Sequence, residues 1–138
     1  DLVHEGHINQ IEFARQYAGT LVVGVVCDSS VRERKGPNRP FQSEEARLKV
    51  VDSLAGVDYS LIMPCPDASS VSPTIQTINK LRPDIFVIHG EEEWERRQKD
   101  FDQLNRMGVL VLYNDAPKVD STTDIAESIV RRATLIGA

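Results

Sequence analysis

Apolar residues follow helical spacing in the first stretch of the chain, at Ile8, Ile11, Phe13, Ala14 and Tyr17, and predict a helix over 6–18 closed by Gly19. The near-continuous apolar run Leu21-Val22-Val23-Gly24-Val25-Val26 is rich in β-branched residues and predicts a strand covered on both faces of a parallel sheet. Positions 28–40 are polar and hold Gly36, Pro37 and Pro40, the pattern of a loop. Ser43 then caps a helix with Glu44 and Glu45 in its first turn; it runs to about Leu54, with Leu48, Val51 and Leu54 or Ala55 turned inward. A short strand over 57–63 and a turn-rich loop over 64–73 lead to a helix over 74–81 that carries Ile75, Ile78 and Leu81 and stops at Pro83. Beyond it come the buried strand Ile85-Phe86-Val87-Ile88, a polar helix over about 92–107 ended by Gly108, and the strand Val109-Leu110-Val111-Leu112. Ser121 caps a last helix over about 122–134.

Strands alternating with helices in this rhythm predict an α/β fold, a Rossmann-like doubly wound parallel sheet, in a single domain over 1–138. The chain opens at Asp1 with the apolar pair Leu2-Val3 and without Met, so a first strand is expected upstream of Asp1. In such folds ligands bind beyond the carboxyl ends of the strands, which directs attention to the segments 28–39, 89–92 and 114–123. The apolar share of 41% and charged share of 27% are those of a globular domain, and the net charge of −5 argues against a sequence-independent nucleic-acid binder. No apolar run reaches the length of a bilayer span and no signal-peptide pattern is visible, so the expected location is cytoplasmic, with no membrane partner. Cys27 and Cys65 fit no metal or redox spacing, and Cys27, ending an apolar run, is expected as a buried reduced thiol.

Candidate chemistry collects in those strand-end segments. His4-Glu5-Gly6-His7 sets two imidazoles and unpaired backbone N–H groups at a helix N-terminus, where an anion is favoured; the same pair also fits a helix cap or half of a metal site with His89. Arg32, Arg34, Lys35 and Arg39 make 28–40 basic in an acidic chain, either a solvated surface or a flexible clamp for polyphosphate. Arg47 is placed to reach a phosphate or to pair with a nearby acid. His89-Gly90-Glu91-Glu92 follows a buried strand, where Gly90 permits close backbone approach to a ligand. Ser121-Thr122-Thr123 opens the last helix, as a plain cap or a second anion cradle. The Gly-x-x-x-x-Gly-Lys-Ser/Thr loop of P-loop enzymes and the Gly-x-Ser-x-Gly elbow of serine hydrolases do not occur in this sequence.

Asp1-Leu2-Val3-His4-Glu5-Gly6-His7 and Ser121-Thr122-Thr123-Asp124-Ile125 together resemble the signature segments of the cytidylyltransferase-like nucleotidyltransferases of the HxGH type, over essentially the whole chain. Arg34-Lys35-Gly36-Pro37-Asn38-Arg39-Pro40, with Glu45 and Arg47, resembles the sugar-phosphate branch, the D-glycero-β-D-manno-heptose 1-phosphate adenylyltransferases. His89-Gly90-Glu91-Glu92 is similar instead to a segment of the ethanolamine-phosphate cytidylyltransferases. The resemblance implies transfer of a nucleotidyl group from ATP or CTP, with Mg²⁺, to a small phosphorylated acceptor, in an enzyme that is commonly a homodimer. It implies catalytic roles for His4, His7, Lys35 and Arg39, and nucleotide binding by Gly6, Gly90, Glu92, Ser121, Thr122 and Thr123. Asp1 and Arg47 are implied to bind the acceptor substrate, and the protein itself is expected to hold no metal. Alternatives are a cytidylyltransferase for glycerol 3-phosphate, ethanolamine phosphate or a similar phosphoalcohol, and a nucleotide-binding regulatory module without turnover.

Overall fold

The computed structural model describes residues 1–69, 71–90, 97–117, 119 and 121–136. In chain order its elements are α1 (Glu5–Arg15), β1 (Val22–Val25), α2 (Asp28–Lys35), α3 (Glu44–Asp52), β2 (Tyr59–Ile62), α4 (Pro73–Leu81), β3 (Ile85–His89), α5 (Gln98–Arg106), β4 (Leu110–Asn114) and α6 (Thr122–Ile136). The predicted α/β alternation is present, and every described strand pairing is parallel. β1 pairs with β2 in the register Val22↔Tyr59 to Val25↔Ile62, and β3 with β4 from Ile85↔Leu110 to His89↔Asn114. Among the described residues these pairings form two two-stranded ladders.

Local sequence explains most boundaries. Ser43 Oγ accepts the N–H of Ala46 at 3.3 Å to start α3, and Ser72 Oγ accepts that of Ile75 at 3.3 Å to start α4, with Pro73 in the first turn where a missing N–H costs nothing. α5 and β4 are separated by Gly108 at φ 80°, a left-handed turn that suits glycine. The main core is the face that α4 and α5 lay on β3 and β4: Ile75, Ile78, Ile88, Phe101, Leu104 and Val109, with Phe86 and Val111 against it. Truncating Phe101 or Leu104 to Ala is worth about 2–5 kcal/mol through the cavity left behind. α3 packs on β1 and β2. None of the described helices is long and apolar enough to cross a membrane.

Five expectations are corrected. The expected loop over 28–40 begins as helix: α2 takes 28–35, anchored by the buried Val31, with Asp28 in its first turn and Arg32, Arg34 and Lys35 in its last, charges of the sign that each end of the dipole favours. Gly36, at φ 96°, ends it. Cys27 is buried as expected, yet it is joined to Cys65 and is not a reduced thiol. The first strand is not covered on both faces, because Val22 and Gly24 share one exposed face of β1 and only Val25 is buried. Leu81, expected in the core, is 44% exposed, since it closes α4 one turn beyond Ile78 at the margin of the packed face. The first helix starts at Glu5 and stops at Arg15, three residues short of the expected end. Of the polar helix over 92–107, the part before 97 lies outside the described residues.

Candidate active site

Each of the two histidines caps the helix through the other. His4 is the N-cap of α1 in extended conformation (φ −145°, ψ 173°); its Nδ1 accepts the N–H of Gly6 at 3.2 Å, while His7 Nδ1 accepts the N–H of His4 at 3.3 Å. This is a capping box with imidazoles in place of the usual hydroxyl and carboxamide. The rings lie with centroids 4.0 Å apart, tilted by 51°. A neutral imidazole that accepts through Nδ1 carries its proton on Nε2, so the cap assigns the tautomer of both rings and makes Nε2–H the donor of each. Loss of hydration within the surrounding protein, followed by the neighbouring His4, lowers the pKa of His7 to about 4, although part of the ring remains exposed to solvent. Lys35 and His89 also act on His7 electrostatically. His7 is therefore a neutral donor at physiological pH.

Long-range hydrogen bonds place this cap. Thr122, 2% exposed, accepts the N–H of Leu2 through Oγ1 at 3.1 Å and donates to the carbonyl of Leu2 at 3.3 Å, tying the segment before His4 to the start of α6. Asn114, buried at the end of β4, donates from Nδ2 to Gln10 Oε1 at 2.8 Å and accepts the N–H of Ala116 at 3.1 Å, which holds α1 to the same strand exit. His89, ending β3, lies with Nε2 3.0 Å from the carbonyl of Ala116; an N–H···O=C bond there makes Nε2 the protonated nitrogen. Sequence reasoning passed over Gln10 and reached Asn114 only as the first residue of the 114–123 segment, without a role. The available signal was a polar residue closing an apolar strand at its carboxyl end.

The remaining expected site residues divide by placement. The Asp1 carboxylate is buried, ion-paired with Arg39, and accepts the N–H of Phe41 at 2.7 Å; the Arg39 guanidinium also stacks 4.1 Å above the Phe41 ring. The basic segment is thus fastened to the residue three before His4. Arg47 faces inward: it is 6% exposed and donates to the carbonyls of Val26 at 2.7 Å and Gln42 at 3.2 Å and to Asp28 Oδ1 at 2.6 Å. The adjoining Glu44 accepts the N–H of Asp28 at 2.6 Å, so α2 is held at its base by two residues of α3. Ser121 Oγ bonds to Asp124 Oδ2 at 2.5 Å and accepts the N–H of Asp124 at 3.1 Å, leaving Thr123 as the exposed hydroxyl of the motif. Gly6 lies in the first turn of α1, with its N–H directed to His4. Gly90 has φ 88°, a conformation that costs a side-chain-bearing residue roughly 1–2 kcal/mol, and Glu92 lies outside the described residues. Among the described residues the metal-ligating atoms that gather within 4.8 Å of one another belong to Cys27, Glu44 and Cys65, not to the three histidines.

The chain is 33% identical over 132 residues to the bifunctional protein HldE of Syntrophotalea carbinolica, an alignment covering 96% of the chain and 26% of that protein. It is 34% identical over 129 residues to HldE of Desulfatibacillum aliphaticivorans, covering 92% of the chain and 25% of that protein. The chain thus spans about a quarter of the length of the curated relatives it matches. Among solved structures, the lipopolysaccharide core biosynthesis protein from Thermoplasma volcanium GSS1 superposes with a TM-score of 0.68 at 24% identity, covering 87% of this chain and 91% of that one, a likeness of fold. The cytidylyltransferase-like family matches residues 1–132, so that the His4–His7 cap and the Ser121-Thr122-Thr123 turn fall within one matched domain. The chain belongs to the cytidylyltransferase-like family of nucleotidyltransferases.

Proposed function

We propose that this domain transfers a nucleotidyl group from ATP or CTP to a phosphorylated sugar of the heptose 1-phosphate kind and releases pyrophosphate. The observation that carries the reading is the reciprocal cap of His4 and His7, in which each Nδ1 accepts a backbone N–H and each Nε2 is left as the donor. An oxygen of the acceptor phosphate attacks the α-phosphorus, the bond from that phosphorus to the β-phosphate oxygen breaks, and pyrophosphate leaves with the electron pair. No protein nucleophile takes part. The two Nε2–H donors face the charge that grows on the α-phosphate and the leaving group, while Lys35 and Arg39 draw the basic segment over the phosphates. Thr123 and the first-turn N–H groups of α6 face the β and γ phosphates, Thr122 secures Leu2, and Gly90 lies toward the nucleoside. Mg²⁺ bound with the nucleotide would neutralise phosphate charge. The Asp1 carboxylate is already committed to Arg39 and Phe41, so this acid positions the clamp and is not a metal ligand.

The choice of a sugar phosphate rests on the 34–47 segment and on the similarity to the HldE proteins. His89-Gly90 favours a second reading, cytidylyl transfer to a phosphoalcohol. A matrix of ATP and CTP against sugar phosphates and phosphoalcohols, read by pyrophosphate release, separates the two. In the productive pair, His4→Asn and His7→Asn are expected to lower kcat by about 10²–10³-fold, the cost of losing a donor to developing charge. Asn retains a capping acceptor, so the fold survives the test. Wild-type turnover in both variants would refute the assignment.

A further inference from the structure

The cross-link in this domain lies at the root of the basic segment. Because β1 and β2 run parallel with Val25 level with Ile62, their exits stand side by side, and Cys27 and Cys65 meet there with Cα atoms 5.6 Å apart and their sulfurs bonded. The two sulfurs have unlike surroundings. Cys27 is fully buried, is the N-cap of α2, and has Ser29 Oγ at 3.3 Å and Ser30 Oγ at 3.5 Å from its Sγ. The two hydroxyls favour negative charge on the Cys27 sulfur, while the Glu44 carboxylate, with an oxygen within 4.8 Å of both sulfurs, opposes charge on either of them. Cys65 is exposed, in the loop between β2 and α4.

We propose that Cys27–Cys65 is a reversible thiol–disulfide site that controls the basic segment, with Cys65 the sulfur attacked and Cys27 the sulfur released. A thiolate of a small dithiol reductant attacks the exposed Cys65 Sγ; the Cys27–Cys65 bond breaks and its electron pair leaves on Cys27, where the serine hydroxyls receive the charge. The second thiol of the reductant then attacks its own sulfur in the mixed disulfide and frees Cys65. Two electrons pass to the protein, the reductant becomes a disulfide, and two protons from the thiols of the reductant end on the cysteines. The oxidised form anchors the N-terminus of α2 to the exit of β2. Reduction leaves α2 held through the Asp28–Arg47 and Asp28–Glu44 contacts. Lys35 closes α2 and Arg39 follows it, so losing the covalent anchor at its start, with only the two Asp28 contacts left, weakens the hold on a triphosphate. This consequence rests on the nucleotidyltransferase reading; the exchange chemistry does not.

The test equilibrates the protein in graded mixtures of reduced and oxidised dithiothreitol, quenches by alkylation, and counts modified cysteines by mass. One two-electron transition between zero and two modified cysteines is expected. Nucleotide at saturation should displace that transition by the same factor by which oxidation tightens nucleotide binding, since coupling is reciprocal. With oxidised glutathione, Cys27→Ser should form a mixed disulfide at Cys65 rapidly, whereas Cys65→Ser should leave Cys27 unmodified. Reduction should raise KM for the nucleotide several-fold in the wild type, and KM in Cys65→Ser should ignore the reductant. Two free thiols in the oxidised protein, or modification of Cys27 in place of Cys65, would overturn the exchange site; equal KM in both redox states would overturn the control. Should pyrophosphate release be absent with every substrate, the nucleotidyltransferase reading and the control of catalysis fall together, and the alkylation experiments still decide the exchange chemistry.

Discussion

Replacing Thr122 with Val tests what the hydroxyl at the start of α6 does. Val preserves the volume and the β-branch of a residue that is 2% exposed, but it leaves the N–H and the carbonyl of Leu2 without their partner. Stranding such groups costs about 1–3 kcal/mol when they are buried; both bonds are partly buried, so about 1–2 kcal/mol is expected. For a domain of 138 residues that corresponds to a fall in Tm of roughly 3–8 °C, read by calorimetry. The released segment is the one that ends in His4, two residues on. Displacing a catalytic donor by even 1 Å can cost about 10²-fold, so kcat should drop about tenfold or more while KM for the nucleotide changes little. Thr122→Ser, which keeps the hydroxyl, should recover most of kcat. Thr123→Val supplies the contrast: an exposed substitution within about 0.5 kcal/mol of wild-type stability that raises KM. Wild-type Tm and kcat in Thr122→Val, or an equal loss of stability in Thr123→Val, would refute the division of labour between the two threonines.

His7 should remain neutral through the physiological range, with its ring protons titrating near pH 4 by NMR and not near 6.5. Its folded pKa lies below its unfolded one, so the unfolded chain binds the extra proton between those values. Stability is therefore fully present above about pH 6.5 and declines as pH falls toward 4; a Tm that is flat over this window in the wild type, and unchanged in slope by His7→Asn, would contradict the assignment. Arg47→Leu removes a buried cation and leaves Asp28 and the carbonyls of Val26 and Gln42 unpaired, which should destabilise the domain by about 3–5 kcal/mol in urea denaturation. A loss under 1 kcal/mol would return Arg47 to the role of an accessible phosphate ligand. Arg47→Lys should recover only part of the stability, because an ammonium cannot span three acceptors arranged for a guanidinium.

What sequence could and could not reveal here follows the distance over which each feature is determined. The helices that start at Ser43 and Ser72 depend on caps three residues deep, and their periodic apolar faces needed nothing further. α2 was obscured because a single apolar residue, Val31, faces the core and the segment runs into Gly36 and Pro37. Its start is organised by Glu44 and Arg47, sixteen and nineteen residues beyond Asp28, contacts that local pattern cannot express. The same holds for the site. Spacing brought His4 and His7 onto one turn, yet their chemistry depends on which ring nitrogen the cap consumes, and that is a matter of rotamer. The hydroxyls of Ser121-Thr122-Thr123 look equivalent in sequence; only the partner of Thr122, 120 residues away at Leu2, separates an inward clamp from an outward cradle. The cysteine pair belongs between these cases. A separation of 38 residues matches no motif, but a parallel β1–β2 pairing with level exits brings positions 27 and 65 together once the strand register is known. The basic segment is tethered at Asp1, at α3 and at Cys65, and of these the last is covalent and accessible to a thiol. That asymmetry is the physical reason to look for control of phosphate binding at the cysteine pair and not at the ion pairs, whose partners are buried or half-buried and have no chemical switch.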